Sequence, residues 1–259
     1  MSHEFEVAQL RNMATRKQAV LIPTPDGTAE GSIFRDDGRP LPGVLYLTDI
    51  GGIREANLGM ASRLAEQGYA VLAPNLFYRS SKLPVFSFHP DFREERTMQR
   101  VGELKAPLTP DAMDRDLAAY LDFLSSFEAV GPGPMGVVGY CFSGAMALRA
   151  AAVRPRQVAA AASFHGGRLY TEDPSSPHRL LPRIKAHLYF GHAVNDKGMP
   201  PEAIAKLEDA LKAWGGQYKS ETYEGALHSW TVTDSPVYNH PQAERAFGKL
   251  TQLLAETLK

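Results

Sequence analysis

Cysteine is almost missing from this chain, because Cys141 is the only cysteine among 259 residues. A single cysteine forms no internal disulfide, and a free thiol survives best in a reducing compartment. The opening residues 1–17 mix acidic and basic side chains instead of placing a basic segment before an apolar one. We therefore expect a protein that is not secreted and that works in the cytoplasm.

Long apolar runs and an excess of positive charge are also missing. No segment approaches the roughly 18 consecutive apolar residues that a membrane-spanning helix needs. The formal net charge is −1 at pH 7, so the chain has no broad basic field that would attract phosphate backbones. We expect no membrane and no nucleic acid among the partners of this protein.

The chain does contain a regular alternation of short apolar runs and helical patterns. Residues 42–50, 69–77 and 135–140 have the length and β-branched content of buried strands. The alternation predicts the α/β class, with a mostly parallel central sheet flanked by helices. It continues to the C-terminus without a linker, so we expect residues 1–259 to form one domain. Segment 77–109 is too long for an ordinary connection and is interpreted as a partial lid.

Cys141 stands where the apolar run 135–140 ends and a helix of small residues begins. A nucleophile on a sharp strand-to-helix turn projects from the edge of the sheet and needs small residues two positions away. Gly139 and Ser143 occupy those positions. A helix beginning at Phe142 also directs its free amides toward the sulfur, which stabilises a thiolate. The alternative is that Cys141 is a small buried hydrophobic residue.

An acid and a histidine follow Cys141 in the order that is typical of α/β-hydrolases. Asp196 comes directly after an apolar run, and His228 lies in a loop after a later predicted strand. Nucleophile, acid and histidine in this order form the catalytic triad of that fold. Each residue also has an ordinary alternative, with Asp196 as a turn residue and His228 as one of eight histidines. The order of all three favours the catalytic interpretation.

Ser143 is the alternative nucleophile, because serine is the commoner choice in this fold. Two positions before it stands Cys141, which is bulkier than the glycine that a serine turn requires, so we interpret Ser143 as a spacing residue. His165 and His192 also follow predicted strands, but neither has a partner at a metal-like spacing. We expect no metal site and no cofactor.

Two segments of the chain resemble a known family. The letters GYCFSG, residues 139–144, are similar to the GYC-x-GG turn of the dienelactone hydrolases, also called carboxymethylenebutenolidases. The letters YEGALHSW, residues 223–230, are similar to the Y-x-GA-x-HGF stretch of the same family. The resemblance covers most of the chain, from about Val20 to the final helix.

The resemblance implies an α/β-hydrolase fold and a role for five side chains. Cys141 corresponds to the nucleophile, Asp196 to the acid that orients the histidine, and His228 to the general base and acid. The family places a glutamate after the first core strand, in contact with the resting cysteine, and here Asp49 stands at that position with one methylene less. An arginine of the family binds the carboxylate of the substrate, and Arg79 matches it.

These roles predict hydrolysis of a lactone or an activated ester through a thioester on Cys141. The substrate is expected to be anionic. The backbone amides of Ile50 and Phe142 are expected to receive the negative charge of the tetrahedral intermediate. Two alternatives stay open. One is a serine-type esterase or thioesterase that uses Ser143, and the other is a ligand-binding protein without catalytic activity on the same fold. The sequence does not indicate an oligomeric state.

Overall fold

The computed structural model describes residues 15–35 and 39–259, and the opening segment that argued against secretion lies mostly outside these ranges. Within the described ranges eight strands form one sheet: β1 (Arg16–Thr24), β2 (Gly27–Arg35), β3 (Gly43–Leu47), β4 (Ala70–Pro74), β5 (Met135–Tyr140), β6 (Val158–Phe164), β7 (His187–His192) and β8 (Tyr218–Thr222). The same ranges contain six α-helices: α1 (Glu55–Ala65), α2 (Glu95–Lys105), α3 (Pro110–Ser126), α4 (Ser143–Val153), α5 (Pro201–Trp214) and α6 (His240–Leu258). No helix in the described part of the chain is long and apolar enough to cross a membrane.

The sheet has the strand order β1-β2-β4-β3-β5-β6-β7-β8. The pairs β1–β2 and β2–β4 are antiparallel, and all remaining neighbours are parallel. Every residue of β3, β4 and β5 is buried, because α1 and α6 cover one face of the sheet while α3, α4 and α5 cover the other. This arrangement confirms the predicted mostly parallel sheet. It also brings the loops after β3, β5, β6 and β7 to one edge.

Helix α3 begins at Pro110, and the hydroxyl of Thr109 before it accepts a hydrogen bond of 3.2 Å from the N–H of Ala112. The hairpin β1–β2 is not among the elements predicted from the sequence. Strand β1 lies at the edge of the sheet and exposes most of its side chains. The apolar alternation by which a strand is identified is therefore weak there.

Segment 77–109, interpreted as a partial lid, contains α2 and a preceding stretch of aromatic contacts. The rings of Phe86 and Phe88 meet edge to face with centroids 5.7 Å apart. Val85 is buried against Gly52, on which an added Cβ would lie only 2.7 Å from Val85 Cγ2. The segment therefore rests on the loop that follows β3, and its role as a lid stays a prediction.

Candidate active site

Cys141 forms the apex of the turn between β5 and α4. Its φ is +59°, a left-handed conformation that is uncommon for a residue with a side chain. The N–H of Cys141 donates to the carbonyl oxygen of Phe164 at 3.1 Å and to Nδ1 of His165 at 3.0 Å. These bonds from the end of β6 hold a conformation that costs on the order of 1–3 kcal/mol. The predicted turn is thus present, and its thiol is partly exposed.

Gly139 lies where the turn leaves no room for a side chain. A Cβ atom on Gly139 would lie 2.1 Å from the carbonyl oxygen of Ser143 and 3.0 Å from the amide nitrogen of Gly144. Both neighbours are backbone atoms at the start of α4, so neither can rotate away. The steric demand inferred from the sequence is therefore real at this position.

We expect Gly139→Ala to destabilise the protein by more than the about 1–3 kcal/mol of ordinary overpacking, because the clash is with backbone. Thermal unfolding followed by circular dichroism measures the effect. The matched control is Gly248→Ala in α6, where an added Cβ meets nothing within 4 Å. That substitution should stabilise the helix slightly. Equal melting temperatures for the two variants would contradict the crowded turn.

Ser143 has its hydroxyl bound to the backbone. Its Oγ accepts a hydrogen bond of 2.9 Å from the N–H of Tyr140 and lies 2.9 Å from the carbonyl oxygens of Leu47 and Tyr140. The residue is 0% exposed. Ser143 therefore ties the end of β3 to the turn, and its hydroxyl faces the interior.

Cys141, His228 and Asp196 lie in one hydrogen-bonded line. The Nε2 atom of His228 is 3.1 Å from the sulfur of Cys141, and its Nδ1 is 2.7 Å from Oδ2 of Asp196. The other carboxylate oxygen of Asp196 accepts a hydrogen bond of 2.8 Å from the N–H of Gly198. The side chain of Asp196 is only 5% exposed. Three residues that are far apart in the chain thus meet at the carboxyl edge of the sheet.

The interaction between His228 and Asp196 raises the pKa of the imidazole and lowers the pKa of the carboxyl. Burial alone would lower the pKa of His228, but hydrogen bonds and charge from Asp196 and Cys141 raise that pKa to about 10. Burial alone would raise the pKa of the Asp196 carboxyl, yet the hydrogen bond and charge of His228 bring it below its ordinary value. Aspartate and a protonated imidazole therefore stabilise each other.

We expect the ring of His228 to stay protonated well above pH 7. Its folded pKa of about 10 lies above the ordinary 6.5, so the stability that it contributes is complete below pH 6.5 and is lost as the pH rises through about 10. NMR titration of ¹⁵N-labelled imidazole rings measures this pKa. In Asp196→Asn the pKa should move down toward the ordinary value. Titration of the wild-type ring near 6.5 would mean that the charge pair does not form.

His165 is a further residue of the site, for which the sequence pattern indicated no role. Its Nδ1 accepts the hydrogen bond from Cys141, so its Nε2 carries the proton and donates to Oγ1 of Thr231 at 2.8 Å. Its ring meets the rings of His228 and Trp230 edge to face, with centroids 5.2 and 5.0 Å apart. Burial lowers the pKa of His165 well below 6.5. This neutral ring supports both the turn at Cys141 and the imidazole of His228.

Asp49 lies after β3 as predicted, but its carboxylate is held by an arginine. The guanidinium of Arg54 contacts both oxygens of Asp49, at 2.6 and 2.9 Å. The same guanidinium contacts both oxygens of Asp234, at 2.7 and 2.9 Å. The carboxylate of Asp49 would have to leave Arg54 to reach the sulfur. Arg54, which no sequence pattern singled out, joins the loop after β3 to the loop after His228.

The two amides predicted to bind an oxyanion are available. Within residues 15–35 and 39–259, no acceptor binds the backbone N–H of Ile50 or of Phe142. The adjacent N–H of Gly51 instead donates to Oδ1 of Asp49 at 2.9 Å, which shapes the loop that carries Ile50. Free amides at the carboxyl edge of a sheet are the usual composition of an oxyanion site.

Arg79 lies in a different network from Cys141. Its guanidinium pairs with both carboxylate oxygens of Asp116 in α3 and lies 2.5 Å from Oδ2 of Asp26. Asp116 also accepts a hydrogen bond of 2.9 Å from the hydroxyl of Tyr78. The side chains of Arg79 and Asp116 are 13% and 1% exposed. The guanidinium of Arg79 is thus already paired with two carboxylates.

We expect Arg79→Ala to lower the free energy of unfolding by about 3 kcal/mol, because it leaves the buried charge of Asp116 unpaired. Denaturant unfolding measures this loss. In kinetics, an equal loss of kcat/KM on a carboxylated lactone and on its methyl ester would mean that Arg79 acts through the fold alone. A loss confined to the carboxylated lactone would instead assign Arg79 to the substrate, as the resemblance implies.

Comparison with known proteins agrees with this geometry. The model of the dienelactone hydrolase family matches residues 29–258. A carboxymethylenebutenolidase of Rhodococcus opacus is 28% identical over 212 residues, which cover 78% of this chain and 75% of the relative. The dienelactone hydrolase structure from Anabaena variabilis superposes with a TM-score of 0.69 at 21% identity, over 95% of this chain and 100% of that one. A dienelactone hydrolase-like promiscuous phosphotriesterase from metagenomic libraries superposes with a TM-score of 0.78 at 22% identity, again over 95% and 100%.

A mostly parallel sheet covered by helices on both faces, with a strand-to-helix turn at its carboxyl edge, defines an α/β-hydrolase. Within that class the chain belongs to the dienelactone hydrolase family, since the family model spans nearly all of it. It is a hydrolase that acts on esters or lactones.

Proposed function

We propose that this protein hydrolyses a lactone or an activated carboxylic ester through a thioester on Cys141. The observation that carries the proposal is the 3.1 Å distance between the sulfur of Cys141 and Nε2 of His228. Asp196 holds the far side of the same imidazole at 2.7 Å. Nucleophile, base and orienting acid are thereby in mutual hydrogen-bond contact.

In the first half of the reaction the sulfur of Cys141 attacks the carbonyl carbon of the substrate, and His228 holds the thiol proton on Nε2. The carbonyl oxygen becomes an oxyanion, to which the free amides of Ile50 and Phe142 donate. Donors of this kind contribute roughly 3 kcal/mol each in comparable sites. The carbon–oxygen bond of the ester then breaks, and the leaving oxygen takes the proton from His228.

In the second half His228 removes a proton from water, and the resulting hydroxide attacks the thioester. The carbon–sulfur bond breaks, which releases the carboxylic acid and returns the sulfur of Cys141 to its starting state. Asp196 stabilises the positive imidazole in both halves. A thiolate leaves more readily than an amine, so adducts with amides revert, whereas lactones and enol esters expel a better leaving group. Ester and lactone substrates are therefore favoured over peptides.

Cysteine is favoured over serine as the nucleophile by the burial of Ser143. The Ser143 hydroxyl is 0% exposed and lies within 2.9 Å of backbone partners. Its rotation toward a substrate would break these bonds and leave buried backbone groups unpaired. The partly exposed thiol of Cys141 has no such constraint.

We further propose that the substrate is anionic, because Arg79 resembles the arginine with which the family binds a carboxylate. The ion pairs of Arg79 with Asp116 and Asp26 do not favour it. The comparison of a carboxylated lactone with its methyl ester decides between the two views. The free thiol of Cys141 supports a reducing, cytoplasmic location.

The proposal is tested by mass spectrometry after incubation with a panel of slowly hydrolysed esters and lactones. We expect a mass increase equal to the acyl group on the peptide that contains Cys141. The increase should disappear after treatment with hydroxylamine, which cleaves thioesters. An acyl group on Ser143 would support the serine esterase. Binding of a panel member without acylation or turnover would support a ligand-binding protein.

A further inference from the structure

A cavity lies between α1 and α6 on one face of the sheet. It has a volume of about 450 Å³, which falls within the range of about 300–1,000 Å³ that is usual for small-molecule sites. Neither Cys141, Asp196 nor His228 lines it. The cavity is therefore separate from the candidate active site.

Small residues on the two helices create this space. Ala56 and Gly59 of α1 face the cavity from one side, and Ala243 and Ala246 of α6 face it from the other. A Cβ atom on Gly59 would meet nothing within 4 Å. Two helices packed on a sheet normally interlock larger side chains, so the small residues here leave space of the size of a ring.

The floor of the cavity is aromatic and carries one unused donor. Tyr140 and Phe164 stack there with ring centroids 5.8 Å apart. Tyr140 is 5% exposed, and no group among residues 15–35 and 39–259 forms a hydrogen bond with its hydroxyl. Burial raises the pKa of this phenol, so the hydroxyl keeps its proton. The hydroxyl can therefore donate a hydrogen bond to a ligand. An apolar ring with a hydrogen-bond acceptor satisfies both features.

The charges around the opening favour an uncharged ligand. Glu55 and Asp234 contribute carboxylates to the wall. The one wall arginine, Arg63, is bound by both oxygens of Glu244 at 2.6 Å. The wall arginine is thus already paired. Asp234 is paired with Arg54, so the carboxylate of Glu55 is the wall charge that repels an anionic ligand. A negatively charged molecule, such as the anionic substrate predicted for the active site, is therefore not expected to bind in this cavity.

We propose that the cavity between α1 and α6 binds an uncharged small aromatic molecule that accepts a hydrogen bond from Tyr140. The site adjoins the nucleophile without containing it. Tyr140 directly precedes Cys141, and the wall residue Thr231 is hydrogen-bonded to His165, which in turn holds the Cys141 N–H. The inference does not depend on the proposed reaction.

The test uses 2-naphthol as the probe and 2-naphthoate, which has the same rings and a negative charge, as its partner. Isothermal titration of the wild-type protein should give a Kd for 2-naphthol of about 100 μM or tighter. The affinity for 2-naphthoate should be at least about tenfold weaker. Absence of 2-naphthol binding, or equal affinities for the two probes, would overturn the proposal.

Two further measurements locate the bound probe. Gly59→Leu places a side chain in the cavity and should weaken 2-naphthol binding at least about tenfold, whereas Gly248→Leu, on α6 but outside the cavity, should not change it. Alkylation of Cys141 with iodoacetamide should also leave the affinity unchanged. Loss of binding after alkylation, or unchanged binding in Gly59→Leu, would mean that the probe occupies another site. Neither result bears on whether Cys141 is the nucleophile.

Discussion

Replacing Cys141 with alanine should abolish ester hydrolysis while leaving the fold intact. The thiol is the proposed nucleophile, and removal of such a group lowers kcat by at least about 10⁴-fold. Within the described ranges the side chain of Cys141 makes one hydrogen bond, to His228, and the bonds of its N–H to Phe164 and His165 do not need the sulfur. Alanine can therefore occupy the same turn. Initial rates on an activated ester and thermal melting curves measure the two parts of the prediction.

Ser143→Ala is the matched control for this prediction. It removes a hydroxyl that lies 2.9 Å from Leu47 and Tyr140 backbone groups, so the free energy of unfolding should fall by about 1–3 kcal/mol. Below its melting temperature this variant should keep most of its activity. If Cys141→Ala remained active while Ser143→Ala did not, the serine esterase would replace the cysteine hydrolase.

Asp196→Asn should cause the second largest loss, with kcat lower by about 10²–10⁴-fold. An asparagine has no charge with which to stabilise the protonated ring of His228, and its amide can donate to Nδ1, which favours the wrong tautomer. The negative charge that raises the pKa of His228 disappears at the same time. The pH dependence of kcat and the melting temperature should be measured together.

The control for Asp196→Asn is Asp173→Asn, in an exposed loop where the carboxylate accepts a hydrogen bond of 2.7 Å from the N–H of Ser175. This turn is similar to that of Asp196 and Gly198, but among the described residues no histidine forms a hydrogen bond with the Asp173 carboxylate. Asp173→Asn should leave kcat and its pH profile unchanged. If Asp196→Asn changed only the melting temperature, with the same kcat and pH profile, Asp196 would have a structural role alone.

The positions of Cys141, Asp196 and His228 could be predicted because their setting is local. A turn between a strand and a helix has a steric signature within a few residues, and Gly139 and Ser143 are part of it. The carboxyl ends of parallel strands share one edge, so the order of the three residues along the chain indicated that they converge. The distances of 3.1 and 2.7 Å in the structure agree with that expectation.

The partners of Asp49 and Arg79 could not be predicted in the same way. Arg54 lies 5 residues from Asp49 but 180 residues from its other partner, Asp234. Arg79 pairs with Asp116, which is 37 residues away in α3. Long charged side chains reach several partners, and packing between distant elements decides which of them they meet. No local pattern of the sequence records that choice.

Local sequence therefore determined the α/β architecture, the turn at Cys141 and the convergence of Cys141, Asp196 and His228, since periodicity and small residues act over a few positions. Tertiary structure alone decided which ion pairs form, that His165 supports the turn, and that a cavity remains between α1 and α6. The physical reason is that hydrogen bonds, ion pairs and packing join side chains by distance in space, and the spacing of residues along the chain does not encode that distance.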